Sequence, residues 1–221
     1  MLALYIILSL LIGYLLCSIN VSVLISRLAY KSDVRDHGSG NAGATNMARV
    51  YGLKGGLLVL LGDFVKAILA CVIIRLICGP KYEELCFMLT GIACVIGHAY
   101  PVFFNFKGGK GVTVGAAIAL MIDWKALLFI VLVFVLTFIF TKTVSKSSML
   151  GALGLIVITL CCYVLSICGV GNGYFDNFTI QRVFLAMVAS LMVIWLHREN
   201  ILRILKGEEK QFTFHKKQAN A

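Results

Sequence analysis

Hydrophobic and polar residues are segregated along this chain in long blocks. Apolar runs cover residues 2–26, 57–77, 83–98, 125–140, 149–168 and 179–196, and short polar stretches close each of them. A helix rises ~1.5 Å per residue, so ~20 apolar residues are needed to cross the hydrocarbon core of a bilayer. These six runs predict membrane-spanning helices. A seventh run, Val112–Ile122, is equally apolar but about half that length, and reads either as a short span or as a re-entrant helix.

Composition supports the membrane reading. The chain is 60% hydrophobic and 14% charged, with a mean hydropathy of +0.95, which excludes an ordinary soluble domain. At 221 residues it is a single domain, 1–221. The net charge of +10 raises the question of nucleic acid. The basic residues, however, sit in short loops and form no long stripe or basic–aromatic repeat, so no nucleic-acid partner is expected.

Those same charges settle the seventh run. If Val112–Ile122 crosses, one side of the membrane receives Arg27, Lys31, Arg35, Arg49, Lys54, Lys107, Lys110, Lys142, Lys146, Arg198, Arg203, Lys206, Lys210, Lys216 and Lys217. The other side holds only Lys81 and Lys125. If it does not cross, Lys142, Lys146 and the basic C-terminal residues face outward, against the positive-inside rule. The expectation is therefore an all-α polytopic membrane protein with seven transmembrane helices, the fourth short. Its N-terminus is outside and its C-terminus cytoplasmic, with residues 209–221 as a flexible tail. The first run has no leading positive charge and no small-residue cleavage site, so it reads as a span rather than a signal peptide. Arg75 and Arg182, near the outer ends of their spans, read as snorkelling side chains. The eight cysteines form no C-x-x-C pair and read as small apolar fillers; no metal site is expected.

This topology gathers three polar stretches on the inner face. The first is Gly38-Ser39-Gly40-Asn41-Ala42-Gly43-Ala44-Thr45-Asn46, with Arg49 shortly after. Its G-x-G-x-x-G spacing lacks the βαβ context of a dinucleotide site. What remains is a glycine-rich loop with hydroxyl and amide donors and an arginine suited to phosphate. The second runs from Gly97-His98 to Lys107-Gly108-Gly109-Lys110-Gly111. It is not a Walker loop, but two lysines among glycines at the start of a helix suit an anion. His98 reads equally as an interfacial histidine or a functional one. The third is His197-Arg198-Glu199-Asn200 with Arg203, whose three-residue spacing groups His197, Asn200 and Arg203 on one helix side. Beyond Gly207 the basic residues read as lipid-contacting. Asp63 and Lys66, at i, i+3 inside the second run, read as an intramembrane ion pair bordering the site.

Taken together, the three motifs resemble the PlsY family of bacterial acyl-phosphate:glycerol-3-phosphate acyltransferases. The likeness rests on Gly38 to Asn46 with Arg49, on Gly97-His98 through Pro101 to Val112, and on His197-Arg198-Glu199-Asn200-Ile201 with Gly207 and Glu209. The sequence departs from the pattern at Ala42, where proline is common, and at Thr113-Val114. The resemblance implies transfer of a fatty acyl group from acyl phosphate to the 1-hydroxyl of sn-glycerol 3-phosphate, giving lysophosphatidic acid and phosphate. It implies a multi-pass protein of the bacterial inner membrane, with the active site cytoplasmic and no cofactor.

On this basis Ser39, Arg49, His197 and Asn200 are the catalytic candidates. Gly38, Gly40, Asn41, Thr45, Asn46, His98, Lys107, Gly108, Gly109, Lys110 and Gly111 are the substrate-binding candidates. Direct attack on the acyl donor is expected, the proton leaving through His197 or through the donor's phosphate. A transporter of phosphorylated solutes and a lipid-binding subunit are the competing classes. The nearly bare outer loops disfavour the first, and the donor-rich inner loops disfavour the second.

Overall fold

The computed structural model describes residues 1–212. Among these the regular structure is helical: α1 (Leu2–Cys17), α2 (Val21–Tyr30), α3 (Ala44–Tyr51), α4 (Leu53–Ile77), α5 (Glu83–Ala99), α6 (Val112–Ile122), α7 (Trp124–Thr141), α8 (Val144–Ile167), α9 (Ile180–Leu196) and α10 (Arg198–Leu205), with short 3-10 turns at Val34–Asp36 and Val102–Phe104. Five stretches are long and apolar enough to cross a membrane: Leu2–Tyr30, α4, Glu83–Phe104, α7 and α8. A sixth appears if α9 and α10, bent by 55°, count as one span.

The short helix α6 lies at the centre of the bundle, packed against α4, α5, α7, α8 and α9. Val114, Ala117, Ile118, Ala119 and Ile122 on it are all buried in the main core. An 11-residue apolar helix is too short to face lipid along a full bilayer, and here its neighbours screen it. The opposite case is α7, where Ala126 alone is fully buried and Leu128, Leu132, Val135, Leu136, Ile139 and Phe140 are exposed. Helices α1 and α5 approach closely through glycine: a Cβ on Gly13 would strike the Thr90 carbonyl, and one on Gly97 the Tyr14 carbonyl. Without water to drive association, such close backbone packing holds membrane helices together.

Two departures from the sequence reading concern the N-terminal third. The first span is broken at Ser18, and α2 restarts with Asn20 as its cap, whose Oδ1 accepts the Val23 amide at 3.0 Å. An asparagine offers the backbone this alternative to a continuous helix. The polar segment between the first two spans also contains a helix, α3, which buries Met47 in a small core with Val23, Val34 and Val59.

A third departure concerns Arg182. It does not snorkel; it is 9% exposed and donates to Glu84 Oε1 at 2.6 Å, to the Ile122 carbonyl at 3.1 Å and to the Asn177 carbonyl at 2.8 Å. This arginine ties α5, α6 and α9 together at the end of the bundle away from the three polar motifs.

Candidate active site

All three polar motifs meet at one end of the bundle, and each junction is made by a named contact. Arg35 joins the first to the second. Its guanidinium is held by Asp33, with a 2.7 Å ion pair, and its Nη1 donates to the carbonyls of Phe104 at 2.8 Å and Lys107 at 3.1 Å. The paired guanidinium holds the Asp33 carboxyl well below the usual carboxylate range. Gly109 forms a second junction, because a Cβ there would overlap the His98 ring and lie 3.1 Å from the Ala42 carbonyl. Lys110 joins the second motif to the third through its Nζ, which donates to Asn200 Oδ1.

The first motif is a strained turn followed by a helix start. Gly38 and Gly40 have φ of +65° and +71°, in the left-handed region where a side chain is disfavoured. Asn46 organises the turn from below: its Oδ1 accepts the Ser39 amide at 2.8 Å, and its Nδ2 donates to the carbonyls of Val34 and His37, each at 3.0 Å. Asn46 is thus buried and committed to the backbone, while the Ser39 side chain is exposed and free to meet a ligand. Thr45 lies in the first turn of α3, where amides lack intrahelical acceptors, and Asn41 is half-buried just before it. Arg49, exposed in the last turn of α3, is near enough to disfavour the charge on Lys110.

The second motif hangs from the end of α5. The Gly108 amide donates to the Ala99 carbonyl and the Gly109 amide to the His98 carbonyl, both at 3.1 Å. Gly111 then takes a φ of +76° and caps α6, which aims its free first-turn amides at the same space. Lys107 is exposed, and Lys110 is half-buried. Burial and the nearby Arg203 guanidinium push the Lys110 ammonium down to about 8. His98 lies beneath the loop, 5% exposed, with its Nδ1 3.3 Å from Lys66 Nζ and 3.6 Å from Asp63 Oδ1.

The third motif bends between α9 and α10. His197 Nδ1 meets the Val193 carbonyl at 2.7 Å, which assigns the proton to Nδ1 and leaves Nε2 as an acceptor. Burial pushes this imidazole down to about 4, so it is neutral near pH 7. Asn200 Nδ2 donates to Glu209 Oε1 at 2.7 Å; Ser145 Oγ donates to the same oxygen, and Arg203 Nε reaches Oε2 at 2.9 Å. These three donors hold the Glu209 carboxyl below its ordinary value.

Glu209 belongs to the third motif by resemblance and also opens the segment expected as a flexible tail; here it is held by Ser145, Asn200 and Arg203. Residues 209–212 fold back over the α7–α8 junction, where the Phe212 amide donates to the Lys142 carbonyl at 2.8 Å and its ring packs edge-on against Phe138. The rest of the expected tail, 213–221, lies outside the described residues. Arg35 and Ser145 make contacts here that motif reading did not single out. Their signal was present: Arg35 and the polar stretch around Ser145 both fall on the inner side by charge placement.

An apolar cavity of about 120 Å³ opens beside this cluster, between α6, α7, α8 and α9. Val112, Gly115, Phe134, Gly151, Leu155 and Val193 are among its lining residues. Val193 also supplies the carbonyl that fixes His197. A cationic, amide-rich head and an apolar cavity therefore share a wall, an arrangement that fits an amphiphile with an anionic end.

Comparison with known proteins places the chain in a family. A family profile described as "Glycerol-3-phosphate acyltransferase" matches residues 7–207. Glycerol-3-phosphate acyltransferase 2 of Bacillus anthracis is 36% identical over 205 residues, covering 93% of this chain and 98% of that protein. The glycerol-3-phosphate acyltransferase of Mycoplasmopsis synoviae (strain 53) is 37% identical over 212 residues, covering 93% of each. Two crystal structures of PlsY, an integral membrane glycerol 3-phosphate acyltransferase, share the fold. Its glycerol 3-phosphate form superposes with a TM-score of 0.80 at 33% identity, covering 94% of this chain and 96% of that one. Its lysophosphatidic acid form gives 0.78 at 32% identity, covering 95% and 96%. The motifs, the fold and these relatives lead to one conclusion: the chain belongs to the glycerol-3-phosphate acyltransferase family of integral membrane enzymes.

Proposed function

We propose that this acyltransferase takes its acyl group from acyl phosphate and joins it to the 1-hydroxyl of sn-glycerol 3-phosphate on the cytoplasmic face of a bacterial membrane. The observation that carries this reading is the shared wall between the Lys110–Asn200 cluster and the apolar cavity. Both substrates bear phosphate, and the donor bears an acyl chain as well. The site offers Arg49, Lys107, Lys110 and free helix amides for phosphate, and the half-open apolar cavity receives part of the chain.

The hydroxyl oxygen attacks the acyl carbonyl carbon, a C–O ester bond forms, and the bond from that carbon to the phosphate oxygen breaks. Ser39, Arg49 and the α3 and α6 amides hold phosphate and stabilise the charge that develops on the carbonyl oxygen. Lys107 and Lys110, with Asn200, orient glycerol 3-phosphate. His197, neutral near pH 7 with its Nδ1 proton committed to Val193, accepts the substrate hydroxyl through Nε2. An imidazole pushed to about 4 is a weak base, so the leaving phosphate takes the proton. The products are lysophosphatidic acid and inorganic phosphate, with no covalent acyl-enzyme.

The topology follows the same reading. Seven spans, α6 among them, with the N-terminus outside, place the basic loops and the three motifs in the cytoplasm, as the positive-inside rule requires. The test is purified protein in detergent with acyl phosphate and glycerol 3-phosphate. Phosphate release that depends on glycerol 3-phosphate, with lysophosphatidic acid formed in equal amount, is expected. Its absence from folded protein would overturn the proposal.

A further inference from the structure

Inside the bundle, below the site, lie three titratable side chains that the reaction does not use. Asp63 is 2% exposed, Lys66 7% and His98 5%. Ionised groups away from water cost several kcal/mol each unless they are paired and hydrogen-bonded. Here three polar groups surround the lysine. An ammonium has three N–H donors. Lys66 Nζ lies 2.7 Å from Asp63 Oδ1, 2.7 Å from the Ile19 carbonyl and 3.3 Å from His98 Nδ1. The Ile19 carbonyl accepts a hydrogen bond from the ammonium, Asp63 Oδ1 lies at ion-pair distance, and His98 Nδ1 closes the group.

Each of the three partners anchors a different part of the fold. Asp63 keeps the cluster on α4. The Ile19 carbonyl is freed by the break between α1 and α2 and has no helical partner there. His98 reaches the catalytic loop. Its ring lies directly beneath Gly109, where an added Cβ would overlap it, and its carbonyl accepts the Gly109 amide at 3.1 Å. The Gly109 backbone therefore sits close against the His98 ring and the Ala42 carbonyl of the first motif, with no room for a side chain. Lys110 is the next residue.

We propose that Asp63, Lys66 and His98 form a buried clamp that sets the height of the Gly108-Gly109 backbone and thereby places Lys107 and Lys110 for glycerol 3-phosphate. These are positioning residues, acting through the loop rather than on the substrate. The proposal rests on the assignment of that loop to glycerol 3-phosphate. A simple structural ion pair would need only Asp63 and Lys66. The clamp needs His98 as well, with its ring under Gly109.

Two variants separate these cases. In His98→Asn a polar side chain still faces Lys66, but no ring remains beneath Gly109. In the double variant Asp63→Leu, Lys66→Met both charges are replaced by apolar side chains, so no unpaired charge is buried, and His98 loses its partner. Steady-state phosphate release is measured against each substrate, with Tm recorded for each protein. Both variants are expected to raise KM for glycerol 3-phosphate by about tenfold, with KM for acyl phosphate within about twofold and kcat at saturation within about threefold. An unchanged KM for glycerol 3-phosphate in His98→Asn would overturn the clamp, as would an equal rise in both KM values. Lys107→Ala and Lys110→Ala, assayed alongside, test the underlying assignment. If neither moves KM for glycerol 3-phosphate, the loop assignment has failed; if they do and His98→Asn does not, only the clamp has failed.

Discussion

Lys110 and Asn200, ninety positions apart in sequence, meet side chain to side chain, Nζ to Oδ1. The contact connects the start of α6 to α10 and places a partly desolvated ammonium where two motifs converge. Because the two groups share one interaction, their removal should not be additive. Lys110→Ala and Asn200→Ala are each expected to raise KM for glycerol 3-phosphate at least about tenfold. The double variant should fall short of the product of the two, with a coupling of at least ~1 kcal/mol in kcat/KM. Full additivity would mean that the contact does not operate in the working enzyme.

The depressed Lys110 value predicts an alkaline limb. The lysine carries its charge below about 8 and loses it as pH rises through that value, so the phosphate-binding charge disappears on the alkaline side. The kcat/KM for glycerol 3-phosphate, which reports the free enzyme, should fall by about tenfold per pH unit above the break. Lys110→Arg keeps its charge throughout and should flatten this limb even if its activity is lower. A limb of unchanged position in Lys110→Arg would assign it to another group.

Direct transfer predicts the absence of an intermediate. Ser39 is exposed and near the phosphate-binding loops, and it is the hydroxyl best placed to be acylated. Mass spectrometry of protein quenched during turnover should find Ser39 unmodified. An acyl adduct on Ser39 would require a two-step mechanism.

Arg35 bridges two loops through Phe104 and Lys107 carbonyls while paired to Asp33. Arg35→Met should lower kcat/KM for both substrates by about tenfold to a hundredfold, because both loops lose their reference point. Arg35→Lys should not restore it, since one ammonium cannot reproduce the planar fork. Wild-type kinetics in Arg35→Lys would remove the bridge from the account.

Gly109→Ala introduces a methyl group into the His98 ring and toward the Ala42 carbonyl, and should cost at least about a hundredfold in kcat/KM. Gly79→Ala, where the added carbon meets nothing within 4 Å, serves as the control and should retain wild-type activity. Equal effects at the two positions would show that the loss at Gly109 is not steric.

Much of this molecule was legible in the linear sequence because a membrane imposes one-dimensional rules. Hydrocarbon thickness sets span length, so the positions of α4 to α9 could be read from apolar runs, α6 with the same bounds and the others to within a few residues. Glycine-rich loops bearing lysine or arginine likewise marked where anions would meet free amides. The family resemblance added the reaction.

Other features depended on contacts between distant residues. The break at Ser18 was hidden inside an apolar run, and Lys66, far along the chain, donates to the Ile19 carbonyl freed there. Asn46 and His98 looked like ligand groups, and their burial turns both toward the backbone that carries the site. Glu209 looked like the start of a loose tail until Ser145, Asn200 and Arg203 were found to converge on it. Local composition determined which segments enter the membrane and which motifs carry donors. Only tertiary packing decided which polar groups face a ligand and which hold the backbone in place, because that depends on partners that sequence spacing does not reveal.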